Sequence, residues 1–450
     1  MLLEEILNAT NGKLLSGNLE DMIVGFTNDS RKCGKNYLYF AIKGERFDGH
    51  DFIDSALENG ASTIITEKIV EHEGKNIILV NDSIKALGEL ASYYRDKSGA
   101  KVVAITGSVG KTSTKDLIYS VISQKFKTLK TPNNYNNHIG LPLTILSWRG
   151  EDVMVLEMGM NHLNEIDYLT KIAKPNIAVI TNVGTAHIGL LGSKENILKA
   201  KMEITHGLQE NGTLILNKDS EPLKGLENKE YTIKYISQNE TADLQAYNIC
   251  LNEDSSDFKL NYQNEEYSVH VPVAGAHFIN NALLALEVGI CLGINIDDCI
   301  AGIREFKLTE NRADVISLRD GILLYDGTYN ANLDSIKASI DVICRYPNRK
   351  IAVLGDMLEL GEYDQKLHEE MGEYLLDKKI DMVLLVGNSV KYTYDILQKT
   401  AIKCKLFTNN SELKSYLYSE IKPGDVILIK ASHGLNLVEV VQYLKEEFKK

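Results

Sequence analysis

The stretch AITGSVGKTSTK, residues 104 to 115, restricts the fold more than any other part of the chain. An apolar run, VVAI, ends at Thr106. Gly107 and Gly110 follow, and Lys111 and Thr112 open a segment with helical apolar spacing. Strand, glycine turn, lysine, hydroxyl, helix is the setting of a phosphate-binding loop. The common long form, G-x-x-x-x-G-K-S/T, has a further glycine where this chain has Ile105. The chemistry does not need it. It needs inward-turned backbone N–H groups, a helix N-terminus, and a lysine for the β- and γ-phosphates. Thr106, Gly107, Ser108, Val109, Gly110, Lys111, Thr112 and Ser113 are therefore candidate nucleotide-binding residues, with the Thr112 hydroxyl placed to reach magnesium. A chance G-x-x-G-K-T string at a helix start is the alternative. The strand before it and the helix after it count against that.

From KVVAIT onward, strands and helices alternate: VVAIT, KDLIYSVISQ, VMVLE, NEIDYLTKI, NIAVIT, ENILKAKMEITHGL, TLILN. This predicts an α/β domain with a mainly parallel sheet covered on both faces. Before it, NYLYFAI, ASTIIT and NIILV read as strands and IKALGELASYYRDK as a helix. Residues 228 to 272 read as antiparallel strands and turns, and FINNALLALEVGICLG as a helix. A further α/β block carries ILLYDG, KIAVLGD, DMVLLVGN, CKLFT and DVILIKAS. Three domains are expected, at 1–97, 98–310 and 311–450, a number that suits 450 residues. Clefts between such domains are common ligand sites.

The net charge of −13 argues against a nucleic-acid or anionic-membrane binder. No apolar run approaches the roughly 18–20 residues that span a bilayer, and MLLEEILNAT carries acids where a signal peptide is basic. The six cysteines are scattered without a C-x-x-C pair. They read as reduced, structural thiols of a cytoplasmic protein with no structural zinc site.

Three other segments carry chemistry-bearing residues. Glu157 ends the apolar strand VMVLE, where parallel sheets face their ligand crevice, so it suits a magnesium ligand; a surface or helix-starting acid is the alternative. NIAVITNVGTAHIG ends its strand in a loop with Asn182 and His187. That histidine reads as a structural hydrogen-bonding group or as a metal ligand. Lys199 and Lys201 of KAKMEI read, on residue type alone, as solvated lysines on a helix.

Taken together, TGSVGKTST, NNYNNHIGLPLT, EMG, TNVGTAHIG and KAKMEI resemble the Mur ligase family in order and spacing, nearly end to end. The shortened loop, T-G-x-x-G-K-T, is that family's form. The resemblance implies a three-domain architecture: an N-terminal UDP-substrate domain, a central P-loop ATPase, and a Rossmann-like C-terminal domain. It implies an ATP-dependent carboxylate–amine ligase of peptidoglycan synthesis, working through an acyl phosphate. DSR at 29 to 31, YFAIKGERFDGHDFI, TYNANLDS, AVLGDMLELG and His368 look most like the branch that joins D-alanyl-D-alanine to UDP-N-acetylmuramoyl-tripeptide.

The resemblance also implies roles. Lys111 and the Gly107–Gly110 backbone hold ATP. Thr112 and Glu157 hold one magnesium ion. His187 and a carbamylated Lys201 hold a second. Asn281 contacts adenine, Arg312 reaches the phosphates from the domain junction, and Asp326 stands nearest the expected ribose contact. Asn134, Asn136 and Asn137 lie near the diphosphate and the reacting carboxylate. Ser30 and Arg31 contact UDP, and Asn330 contacts substrate. A monomer that closes its third domain over ATP is expected.

The chain departs from the family pattern at Phe278, where G-x-H-N has asparagine, and at Gly327 and Leu333 of D-G-T-Y-N-A-N-L. It departs again at Ala431 of K-A-S. None of these is a phosphate or metal position. A related ligase with another amine or acceptor, including the folylpolyglutamate type, stays open. So do a P-loop kinase or nucleotide switch and a non-catalytic scaffold.

Overall fold

The alternation of apolar strands with amphipathic helices resolves into three sheets in the computed structural model, which describes residues 1–308 and 314–449. The first has five strands in the spatial order Lys13–Ser16, Asn76–Leu79, Ala61–Thr66, Tyr37–Phe40, Gly25–Thr27. Only its first pair is antiparallel. The third has six: Asp314–Ser317, Leu323–Gly327, Val426–Lys430, Lys350–Gly355, Met382–Val386, Lys403–Phe407. All pairs but the first are parallel.

The central sheet has nine strands. Lys101–Thr106 lies between Val153–Glu157 and Ile177–Ile180, parallel to both. The chain steps to one side of this strand first, then returns to the other. That reversal is a topological switch, and the crevice outside the strand ends there is where open α/β sheets take ligands.

One expectation is corrected. Thr232–Ser237 does not belong to an antiparallel unit; it continues the parallel ladder beside Thr213–Asn217. Antiparallel pairing begins only at Leu244–Leu251, with Ser256–Tyr262 and Glu265–Val271 beyond it. Thr232–Ser237 is buried only at its last two residues, so it lacks the continuous apolar run that marks a doubly covered parallel strand.

Helices Lys111–Ile122, Ala276–Cys291 and Ile296–Arg304 form one core with the central sheet, through Leu117, Val121, Phe278 and Ile300. Ala276–Cys291 is apolar almost all round, as a helix sunk in a core must be. The opposite face joins Gly140–Leu146 and Glu165–Ala173 to the first lobe's helix Ser83–Ser98, sharing Leu87, Leu90, Leu141 and Ile166. That helix starts where the Asp82 carboxylate accepts the Lys85 N–H at 2.9 Å and stops at left-handed Gly99. Its buried Arg95 donates to the carbonyls of Ala173 and Lys174 at 2.8 and 3.1 Å, terminating a central-lobe helix from the first lobe. No helix among the described residues is long and apolar enough to cross a membrane.

Candidate active site

The loop after Lys101–Thr106 turns into helix Lys111–Ile122 through backbone only glycine tolerates. Gly107 has φ +153°, and a Cβ there would lie 1.8 Å from the Thr181 hydroxyl. Gly110, at φ +81°, stands at the helix N-terminus, and no side chain caps the first turn. A glycine at that position has no side chain to spend on the first-turn N–H groups, as an anion site needs. The loop is tied to the next strand end. Val109 N–H donates to Asn182 Oδ1 at 3.0 Å, its carbonyl accepts from Thr181 and Asn182, and Ser108 Oγ accepts the Gly184 N–H. Lys111 Nζ donates to the Gly107 carbonyl at 2.8 Å, across the mouth of the loop.

Beside it, Thr112 Oγ1 donates to Glu157 Oε2 at 2.8 Å, and Asn136 Nδ2 donates to Oε1 at 2.9 Å. Glu157 is 1% exposed, and no cation forms a salt bridge with it among the described residues. A buried carboxylate held by neutral donors next to a hydroxyl and a phosphate loop fits magnesium, which takes one or two carboxylates and completes its shell from phosphate and water. Among the described residues no three His, Cys, Asp or Glu side chains cluster as a ready-made metal cage.

Lys201 lies in this region but not in solvent. It is 1% exposed, and burial together with the Lys111 charge drives its ammonium well below the ordinary lysine range. The solvated reading holds for Lys199, which is exposed, and fails for Lys201. A buried amine whose proton is disfavoured, near cation-binding groups, suits addition of CO₂ and stabilisation of the resulting anion. His187, held below the usual imidazole range first by burial and then by Lys111, lines the same cleft.

The cleft measures about 940 Å³ and draws its wall from all three lobes. Asp82 and Lys85 come from the first, the phosphate loop with Asn134, Asn136, Asn137 and Asn281 from the second, and Tyr329, Asn330 and Lys430 from the third. Asn281 is 5% exposed, and its Nδ2 has no hydrogen-bond partner among the described residues, an orphan donor beside Gly110 of the kind a bound nucleotide satisfies. Asn137 spends Oδ1 on the N–H groups of Ile139 and Gly140, so its work is partly in the turn. Asn330 spends Oδ1 on the Ala331 N–H, while Lys430 Nζ donates to its carbonyl at 3.0 Å.

Three expected residues are not brought here. Asp326 is 1% exposed and its carboxylate accepts the N–H and hydroxyl of Thr328, so it is absorbed in a turn; Gly327 lines the cleft instead. Ser30 and Arg31 lie on a first-lobe turn outside this cleft, with Arg31 paired to Asp29 at 2.8 Å. Arg312 lies outside the described residues.

Sequence reasoning missed others. Asp334 accepts the Thr185 N–H and hydroxyl at 3.0 and 3.2 Å, joining the third lobe to the second. His277, kept neutral with its pKa lowered to about 4 by burial, Arg345 and Lys430, lines the cleft over the Phe278 ring. Asn182, seen only as part of a polar loop, is the residue that latches the phosphate loop. Position after an apolar strand was its only signal. The six cysteines form no disulfide, and burial pushes the thiols of Cys291, Cys299 and Cys404 up to about 12.

A phosphate loop at a sheet's switch point, facing a buried hydroxyl–carboxylate pair in a three-lobed cleft, defines a nucleotide-dependent transferase or ligase. The comparisons narrow it. Family descriptions match residues 22–95 (Mur ligase family, catalytic domain), 105–289 (Mur ligase middle domain) and 311–433 (Mur ligase, glutamate ligase domain). The chain is 36% identical over 457 residues to the UDP-N-acetylmuramoyl-tripeptide–D-alanyl-D-alanine ligase of Bacillus subtilis, covering 98% of both, and 34% identical to that of Escherichia coli, covering 99% and 98%. Among solved structures it is similar to MurF from Acinetobacter baumannii (TM-score 0.92, 30% identity, 99% and 98% covered). It is also similar to the MurF ligase from Thermotoga maritima in complex with ADP (0.85, 32%, 94% and 98%). The chain belongs to the Mur ligase family.

Proposed function

We propose that this protein joins D-alanyl-D-alanine to UDP-N-acetylmuramoyl-tripeptide at the expense of ATP, giving the pentapeptide precursor of peptidoglycan, ADP and phosphate. The observation that carries this is the buried Thr112–Glu157–Asn136 chain beside the open N-terminus of helix Lys111–Ile122, in a cleft walled by all three lobes. The end-to-end likeness to ligases of that name supplies the substrates. We take the lobes as 1–97 for the UDP-substrate, 98–310 for ATP, and 311–450 for ATP and the amine.

A carboxylate does not react with an amine at neutral pH, so it must be activated. Its oxygen attacks the γ-phosphorus of ATP, ADP leaves, and an acyl phosphate forms. The amine then attacks the acyl carbon, and phosphate departs from the tetrahedral intermediate. Transfer of this kind depends on positioning and charge neutralisation. Lys111 and the first-turn N–H groups meet the phosphates, Asn281 meets the base, and Asn134 lies along the acceptor side. Thr112 and Glu157 would hold one magnesium ion, with His187 and a carbamylated Lys201 at a second, supplying positive charge to the transferred phosphoryl. Ser30 and Arg31 take the UDP end, Asn330 the amine side, and Arg312 reaches the phosphates from the junction. The protein works in the cytoplasm, as a monomer.

Phosphate release with ATP, magnesium, UDP-muramoyl-tripeptide and a panel of amines tests this. Release requiring both the acceptor and D-alanyl-D-alanine, with product of the matching mass, is expected. Another preferred amine would move the substrate and keep the chemistry. Hydrolysis needing neither partner would favour a kinase or switch.

A further inference from the structure

The described mechanism leaves unused a contact between lobes that touches one of its own site residues. His187 Nδ1 and Glu359 Oε2 lie 2.9 Å apart, with His187 on the central lobe and Glu359 on the third. Both residues have left-handed backbone, at φ +62° each. Such conformations are strained for non-glycine residues and persist only where the surroundings hold them.

The surroundings do hold them. The Gly189 N–H donates to the Glu359 carbonyl at 3.1 Å, and the Tyr363 hydroxyl donates to the Gly192 carbonyl at 2.7 Å. Gly189 and Gly361 touch so closely that a Cβ on Gly189 would lie 2.4 Å from the Gly361 nitrogen. On the third lobe, the Met357 N–H donates to His368 Nε2 and the Leu358 N–H to Ser432 Oγ, so the segment carrying Glu359 is anchored from behind. Glu359 is half exposed, yet its backbone is placed as firmly as a core residue.

We propose that Glu359 is a positioning residue for His187. An ionised carboxylate only accepts, so the imidazole must carry its proton on Nδ1. Nε2 is then left with its lone pair, on a ring that lines the cleft with Lys111 and Lys201 nearby. A carboxylate on the far nitrogen is the usual device for fixing tautomer and ring orientation in a ligating histidine. Here that carboxylate comes from a different lobe. The competent form of His187 therefore exists only while the third lobe is docked, which ties assembly of the site to lobe position. This rests on the ligase reading for its consequence, and on geometry alone for the pair.

Two measurements test it. In metal-free, nucleotide-free full-length protein labelled with ¹⁵N-histidine, His187 is identified by its loss in His187→Ala. It should show a protonated Nδ1 and unprotonated Nε2, and Glu359→Ala should abolish that pattern. An unchanged His187 tautomer in Glu359→Ala overturns the proposal. In the phosphate-release assay, Glu359→Ala should lower kcat about 10- to 100-fold. Glu359→Gln, whose amide oxygen still accepts the Nδ1 proton, should recover most of it. In a His187→Ala background, Glu359→Ala should add nothing further; independent, multiplying losses also overturn the proposal. Absence of acceptor-dependent turnover in the unaltered protein would sink the ligase reading instead, and the tautomer measurement would still decide the pair.

Discussion

Lys199 and Lys201 lie two positions apart on one short helix and meet opposite environments. Lys199 is in water. Lys201 is buried within reach of the Lys111 charge, with its ammonium disfavoured first by burial. The sign of the consequence follows from linkage. The folded pKa is below the ordinary 10.5, so between the two the unfolded chain binds the extra proton and stability rises with pH. At neutral pH this lysine therefore costs stability. In CO₂-depleted buffer, Lys201→Met should melt at a higher temperature than the unaltered protein at pH 7. The gap should close as pH approaches the ordinary lysine value, and turnover should be lost. An equal or lower melting temperature at pH 7 would refute the argument. With bicarbonate, intact-mass measurement of the native protein should find one added CO₂ that Lys201→Met lacks. For Lys111, whose amine spans the loop mouth, replacement by alanine removes a preorganised charge. It should lower kcat by at least about 10²–10³; near-normal turnover would remove Lys111 from the site.

At the scale of elements, the strand–loop–helix unit was legible because its signals are local: an apolar strand, two glycines, a lysine, a hydroxyl. The structure adds why Gly107 is obligatory, which is contact with Thr181 on another strand. Gly107→Ala should destabilise the protein by about 1–3 kcal/mol and abolish nucleotide binding, read by thermal melting with and without ADP. Wild-type-like melting with intact ADP stabilisation would count against it. The strand Thr232–Ser237 shows the opposite case. Its half-buried pattern says strand but not which neighbour it takes, because pairing is decided by the sheet it joins. Asp326 is a similar case: a carboxylate two residues before a threonine is as readily taken up by its own turn as offered to a ligand.

At the scale of the molecule, polar contacts that hold the third lobe to the second among the described residues include Asp334 with Thr185, Glu359 with His187 and Gly189, Tyr363 with Gly192, and Tyr346 with Glu253. Asp334 is itself exposed, but its carboxylate accepts two hydrogen bonds, and a bond to a charged group is worth about 1.5–3 kcal/mol, enough to shift a lobe equilibrium without unfolding either lobe. Asp334→Ala should therefore enlarge the radius of gyration in small-angle scattering, lower kcat, and leave the melting temperature nearly unchanged. The unaltered protein should contract when ATP and acceptor are added. An unchanged scattering profile in the variant would show that this contact does not set lobe position.

What the amino-acid order determined by itself is whatever depends on neighbours in the chain: the periodicities, the glycine turn, the lysine and hydroxyl at a helix start, the acid at a strand end. Those were enough to reach the phosphate loop, Glu157 and the family. What only tertiary structure decided is everything that depends on desolvation or on contact between lobes. Burial of Lys201, the latch of Asn182 on the loop, the orphan amide of Asn281 and the His187–Glu359 pair join residues tens to hundreds of positions apart. Their chemistry comes from the removal of water and the approach of charge, and neither is written in local sequence.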